Sequence, residues 1–209
     1  MDLYKKILFL FMAIPLLLGA CLNLKQPSHK IEFYTFEYDP PQVANLKPLP
    51  FVIRLERFSV APEYSSDRII YRDKSFKRNA YVYFRWRANP SELVTSFLSR
   101  DIKQSGLFKA VLSYDSRLPS SHLVEGSVEE FFEWDAEEIW EAILSVSITL
   151  MAENEPGRSE RILFQKNYHA REPCKQKNPQ ALVEAMSRAM STISREIIES
   201  LYAYLEKNI

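Results

Sequence analysis

The sequence predicts an α+β fold: a single domain with a mainly antiparallel sheet and two helices packed on one face, placed after an N-terminal signal peptide. Stretches that alternate apolar and polar residues, the period of a half-buried strand, recur on both sides of a central helical pattern. Two segments open with Asn-Pro, Asn89-Pro90 and Asn178-Pro179, and continue with apolar residues at helical spacing. The resulting order, four strands, helix, four strands, long helix, suits helices covering one face of a sheet.

Ile31–Tyr38 reads as the first strand, rich in aromatic and β-branched residues. Pro40, Pro41, Pro48 and Pro50 mark an extended connection. From Phe51 to Val60, Phe51, Ile53 and Leu55 share one side, with Arg54 and Glu56 on the other. Arg68–Arg72 and Asn79–Arg87 form a hairpin around polar Asp73–Arg78. In the first helix Asn89 caps, Pro90 sits where its missing N–H costs nothing, and Glu92 completes a capping box. Leu93, Val94, Phe97, Leu98 and Ile102 make its apolar stripe, and Gly106 stops it. Strands follow at Leu107–Ser113, Leu123–Trp134, Glu141–Met151 and Arg161–Ala170, the last two joined by a turn at Asn154-Glu155-Pro156-Gly157. The closing helix, Pro179–Leu205, turns Leu182, Met186, Ala189, Ile193, Ile197, Leu201 and Leu205 inward.

The N-terminus has its own logic. Lys5 and Lys6 precede an apolar run, Ile7–Leu18, and then Leu18-Gly19-Ala20-Cys21. A positive start, a short apolar stretch and small residues at the cut define a secretory signal. With Cys after the small pair, the string matches the lipobox of bacterial lipoproteins, so Cys21 is the expected lipidation site. A transmembrane anchor fits poorly: the run at about 1.5 Å per residue reaches only about 18 Å, short of a hydrocarbon core of about 30 Å. The expected division is a signal peptide at 1–20, a lipidated Cys and polar tether at 21–30, and one periplasmic domain at 31–209. The tether, fully extended, reaches roughly 30 Å.

Composition then excludes whole classes. After removal of the first twenty residues the chain keeps 25 basic and 26 acidic residues, which gives no reason to expect nucleic acid. Of two cysteines, Cys21 is taken by lipid, leaving Cys174 without an intramolecular partner. The four glycines stand apart, so no phosphate loop, dinucleotide fingerprint or nucleophile elbow can form. His29, His122 and His169 lack neighbours at metal-ligand spacing. The doublets Glu129-Glu130 and Glu137-Glu138 point to opposite faces of a strand, which is no catalytic dyad. No catalytic residue, metal site or cofactor is expected, and the chain reads as a non-enzyme.

Charge is distributed unevenly. Pro119–Gly157 holds ten acids and no Lys or Arg, while Arg68–Lys109 holds ten basic residues and three acids. Two arrangements follow from this. Either the two stretches are neighbouring strands that pair internally, or they are opposed faces that meet head to tail in a homo-oligomeric ring.

The run Phe58-Ser59-Val60-Ala61-Pro62, followed by Ser66-Asp67-Arg68-Ile69-Ile70-Tyr71-Arg72, resembles the signature of the ABC-type transport auxiliary lipoproteins, the PqiC-like family. Tyr34-Thr35-Phe36, Arg85-Trp86, Ser105-Gly106-Leu107-Phe108, Leu123–Phe131 and Phe164-Gln165 support it in order, over nearly the whole mature chain. The stretch Trp134–Trp140 departs from it, because relatives turn more tightly there. The resemblance implies an outer-membrane lipoprotein facing the periplasm, partnered with an MCE-domain protein of an ABC transporter that moves lipid between membranes. Docking, not catalysis, is then the expected mechanism, with Asp67, Arg68, Tyr71, Arg72, Arg85 and Trp86 as candidates for the docking face. Arg and the large aromatics are the types enriched at interface anchors; the plainer alternative is that Asp67 and Arg68 fix the turn while Tyr71 packs in the sheet. Two other readings stay open: a lipoprotein that activates a cell-wall synthase or pore assembly, and a domain that holds a lipid in a pocket of its own.

Overall fold

The computed structural model describes Tyr4 and residues 30–43, 46–136, 138–153 and 161–208. The chain divides into two compact units, Met1–Lys30 and Ile31–Ile209. Cys21, and the turn expected at Asn154–Gly157, lie outside the described residues. Among the described residues the second unit contains nine strands and two α-helices: β1 Glu32–Tyr34, β2 Leu49–Leu55, β3 Ser59–Val60, β4 Arg68–Arg72, β5 Arg78–Trp86, α1 Pro90–Ser105, β6 Phe108–Leu112, β7 His122–Ala136, β8 Ile139–Ala152, β9 Ile162–Pro173 and α2 Pro179–Glu206.

β7 organises the sheet. Along one edge it pairs with β8 over nearly its whole length, and β8 pairs with β9. Along the other edge three short strands dock in succession: β2 at His122–Val124, β3 at Ser127–Val128 and β4 at Glu133–Trp134. β6 extends the sheet beyond β2, and β5 then β1 extend it beyond β4.

The α+β class is as expected, but the mainly antiparallel sheet is not. The sheet is mixed, and five of its eight strand pairings are parallel. The reason is topological. β2, β3 and β4 come one after another and run with β7, and the return through α1 lays β6 parallel to β2. Alternation along a strand reports which face is buried and is blind to the direction of its neighbour. The expected strand Phe51–Val60 is likewise two strands, because the chain leaves the ladder after Leu55 and rejoins at Ser59.

Both helices begin as their sequences require. The Asn89 side chain accepts from the Glu92 N–H at 3.0 Å and that of Asn178 from the Ala181 N–H at 2.9 Å. The Glu92 carboxylate lies 3.8 Å from Arg57, a charge partner across the surface and outside the cap. Gly106 ends α1 at φ 66°, a left-handed conformation that disfavours other residues. The helices touch each other as well as the sheet, which puts both on one face. Beneath them Leu144, Val146, Ile148 and Leu150 of β8 are fully buried, together with the whole inner stripe expected for α2.

Candidate docking face

A bulge in β7 between Val128 and Glu130 decides what the sheet presents. Before it, Val124 and Val128 turn inward; after it, Phe131 and Glu133 do. One extra residue reverses the alternation, so Phe132 and Trp134 come out on the face away from the helices. There they meet β4. The Arg72 guanidinium lies over the Phe132 ring at 4.4 Å and 6.0 Å from that of Trp134, and it is 4.0 Å from Glu130. From β9, His169 Nδ1 lies 3.5 Å from Glu130, and Arg171 pairs with Glu141 at 2.5 Å. Arg72, Glu130, Phe132, Trp134, His169 and Arg171 with Ile143 line a cleft of about 230 Å³.

The six candidates for the docking face separate into three environments. Trp86 is 1 % exposed and belongs to the core, edge-on to Phe36 at 5.8 Å and to Phe131 at 5.1 Å. Asp67 and Arg85 join the base of the β4–β5 hairpin: the Trp86 N–H donates to the Asp67 carbonyl at 2.7 Å, and Arg85 Nη1 lies 3.4 Å from both Asp67 carboxylate oxygens. Arg68 is exposed, opposite Arg85 in the ladder. Tyr71 and Arg72, being adjacent on a strand, face opposite ways. The Tyr71 ring packs 4.9 Å from Tyr81, while Arg72 enters the cleft. Arg68 and Arg72 thus remain at the surface, while Trp86 is withdrawn from it.

Glu133 was missed as a site residue by reasoning from the sequence. It is 0 % exposed, accepts from the Tyr81 hydroxyl at 3.0 and 3.1 Å, and accepts from the Trp140 indole N–H. Burial pushes its carboxyl up to about 7, against the pull of those two donors. Nearby, burial and then the charge of Glu133 push the half-buried Cys174 thiol up to about 12, so it stays protonated and unreactive. The cleft residues on β9 were also missed: the expected strand ended at Ala170, short of Arg171, and alternation says nothing of the acids, Glu130 and Glu141, that His169 and Arg171 approach.

The two charged stretches do pair with other parts of the chain. Glu130 lies by Arg72 as neighbouring strands allow, but Glu153 pairs with Arg54 at 3.1 Å, Asp135 with Lys177 at 2.6 Å and Glu141 with Arg171. Among the described residues, no group of three His, Cys, Asp or Glu could hold a metal ion, and no helix is long and apolar enough to cross a membrane.

The family model of the ABC-type transport auxiliary lipoprotein component matches residues 34–198, from β1 to the last turns of α2. The chain belongs to this family. Its fold recurs in the crystal structure of protein XCC0632 from Xanthomonas campestris, a DUF330 protein, at a TM-score of 0.76 and 15 % identity, covering 85 % of this chain and 98 % of that one. It recurs again in the hypothetical protein CT253 from Chlamydia trachomatis, at 0.53 and 11 % identity, covering 75 % of this chain and 98 % of that one. No curated protein matches the chain. As a member, this chain is an auxiliary component of an ABC-type transport system.

Proposed function

We propose that this chain is anchored in the outer membrane by acyl groups on Cys21 and docks, without catalysis, onto the MCE-domain protein of a lipid-moving ABC transporter. The family match over residues 34–198 carries this reading. The surface chemistry supports it. Arg72 held on two aromatic rings, with Arg68 exposed lower on the same strand, offers planar donors on a rigid base. In this reading residues 1–20 are removed, 21–30 form the tether, and the second unit stands in the periplasm.

Arg68→Ala with Arg72→Ala tests the docking. Co-purification with the MCE-domain partner should fall at least tenfold while the circular dichroism spectrum stays unchanged. An intact fold with undiminished co-purification removes these residues from the interface. Palmitate labelling that vanishes in Cys21→Ser tests the anchor separately.

A further inference from the structure

Past the bulge, four neighbouring strands set a row of side chains on the face away from the helices. Phe132 of β7 stands opposite Ile143 of β8, and Ile143 opposite Arg171 of β9. Residues in register across strands share a face. β4 lies along the other edge of β7, with Arg72 opposite Trp134, and the Arg72 guanidinium leans over Phe132. The cleft of about 230 Å³ therefore has a nearly buried apolar floor, Phe132 and Ile143, and an arginine at each side. Glu130 and His169 stand in the next row toward the bulge.

The two arginines differ in what they hold. Arg171 Nε donates to the Glu141 carboxylate at 2.5 Å. Arg72 makes no hydrogen bond among the described residues: its Nε is buried without a partner, and Glu130 stops at 4.0 Å, beyond hydrogen-bond reach. Arg54 and Arg85 also leave Nε bare, but each sends an Nη to an oxygen, at 2.8 Å to the Leu118 carbonyl and 3.4 Å to Asp67. The Arg72 fork is thus held in place by a ring and still lacks an acceptor.

An anionic acceptor fits that gap. A carboxylate is planar and takes two N–H groups of a guanidinium at once. The methylenes behind it can lie on Phe132 and Ile143, and the volume suffices for one side chain. A cationic side chain would meet Arg72 and Arg171 instead. A phosphate monoester, with nearly twice the charge of a carboxylate, would be opposed more strongly by Glu130 and Glu141. We propose that the cleft receives a single Asp or Glu side chain of the docking partner, bound by Arg72. The inference rests on the docking read above and names the chemistry that the partner presents.

The test reads which chemical group enters the cleft. In the full chain in bacterial membranes, His169→Lys sets an amine at the rim, and Glu130→Gln removes the acid beside it. A water-soluble carbodiimide joins that amine to a carboxylate in contact, and mass spectrometry identifies the residue joined. The expected product is an amide from residue 169 to an Asp or Glu of another chain. Adding Arg72→Gln should lower its yield about tenfold, with the circular dichroism spectrum of the purified chain unchanged. No such product, a yield indifferent to Arg72→Gln, coupling only to Glu141 of this chain, or a phosphoramidate to lipid overturns the proposal. If the product depends on Arg72 but joins a chain other than the MCE-domain protein, the inference stands and the docking reading falls. Glu130→Gln alone should raise co-purification of the joined chain about threefold, because that acid competes for Arg72. No rise, or the fall that a cationic occupant would give, overturns the proposal too.

Discussion

The two ends of β7 are built differently. At its start, polar atoms close the rim: Ser121 Oγ accepts from the Val52 N–H at 2.9 Å, and Arg54 reaches both Glu153 and the Leu118 carbonyl, the latter at 2.8 Å. Beneath them packing is tight, for a Cβ added at Gly126 would lie 2.5 Å from the Phe58 ring. Past the bulge the strand carries large rings on both faces and a buried carboxylate, and the connections beyond it leave Phe76 and Ile139 to solvent. The start also leaves Leu118 to solvent, so what sets the far end apart is the cleft in which Arg72 rests against Phe132 and Trp134.

The largest effect expected from breaking this contrast comes from the far end's core. Trp86→Ala removes the ring wedged between Phe36 and Phe131 and should cost about 3–5 kcal/mol of unfolding free energy, measured by urea titration. A loss near 1 kcal/mol would mean that Trp86 is not a core anchor and could turn outward to a partner.

Next comes the pH response of Glu133. Its carboxyl lies near 7 in the folded state against 4.5 for the unperturbed group, so the native chain holds a proton that the unfolded chain releases. This contribution is complete below pH 4.5 and is lost as pH rises through about 7, on the order of 3 kcal/mol in all. Glu133→Gln should remove that slope. Wild type and variant unfolded in urea at pH 5 and pH 8 supply the comparison, and identical pH dependence in both would assign the slope to other groups.

Gly126→Ala probes the start of the strand. The Phe58 ring, itself buried, has to yield, at a cost of about 1–3 kcal/mol. Phe58→Leu in the same chain should recover part of it, because the two changes share one contact. Additive losses would place the strain elsewhere.

The same two ends explain how far the sequence could be read. The helices were legible to within a residue, because an Asn-Pro start and a 3.6-residue stripe are local signals, and Asn89, Asn178 and the inner face of α2 serve as those signals require. Most strands were legible too, although Phe51–Val60 divided in two and Ile31–Tyr38 shortened to Glu32–Tyr34; strand direction was not legible, since β6 meets β2 only through the intervening helix. At the site, Arg68 and Arg72 could be chosen by residue type, but Trp86 was placed on the surface when its ring completes the core. The Phe132–Trp134 cleft was hidden by the bulge at Val128–Glu130. A period-2 pattern carried straight through Leu123–Trp134 assigns every residue beyond the bulge to the wrong face.

The smallest expected effect sets one arginine at each end side by side. Arg54 sits in a half-buried rim pair with Glu153 that contributes about 1 kcal/mol, so Arg54→Ala should shift stability by about that much and leave co-purification unchanged. Arg72 gains a similar amount, about 1 kcal/mol, from its place on Phe132, and Arg72→Ala should therefore unfold at nearly the same urea concentration. The two variants separate only in binding. If stability alone governed complex formation, both would lose partner equally; loss confined to Arg72→Ala ties the interaction to the aromatic end. Arg72→Lys sharpens this further, since it keeps the charge but loses the planar fork, and its failure to restore binding identifies geometry, not charge, as what the partner reads.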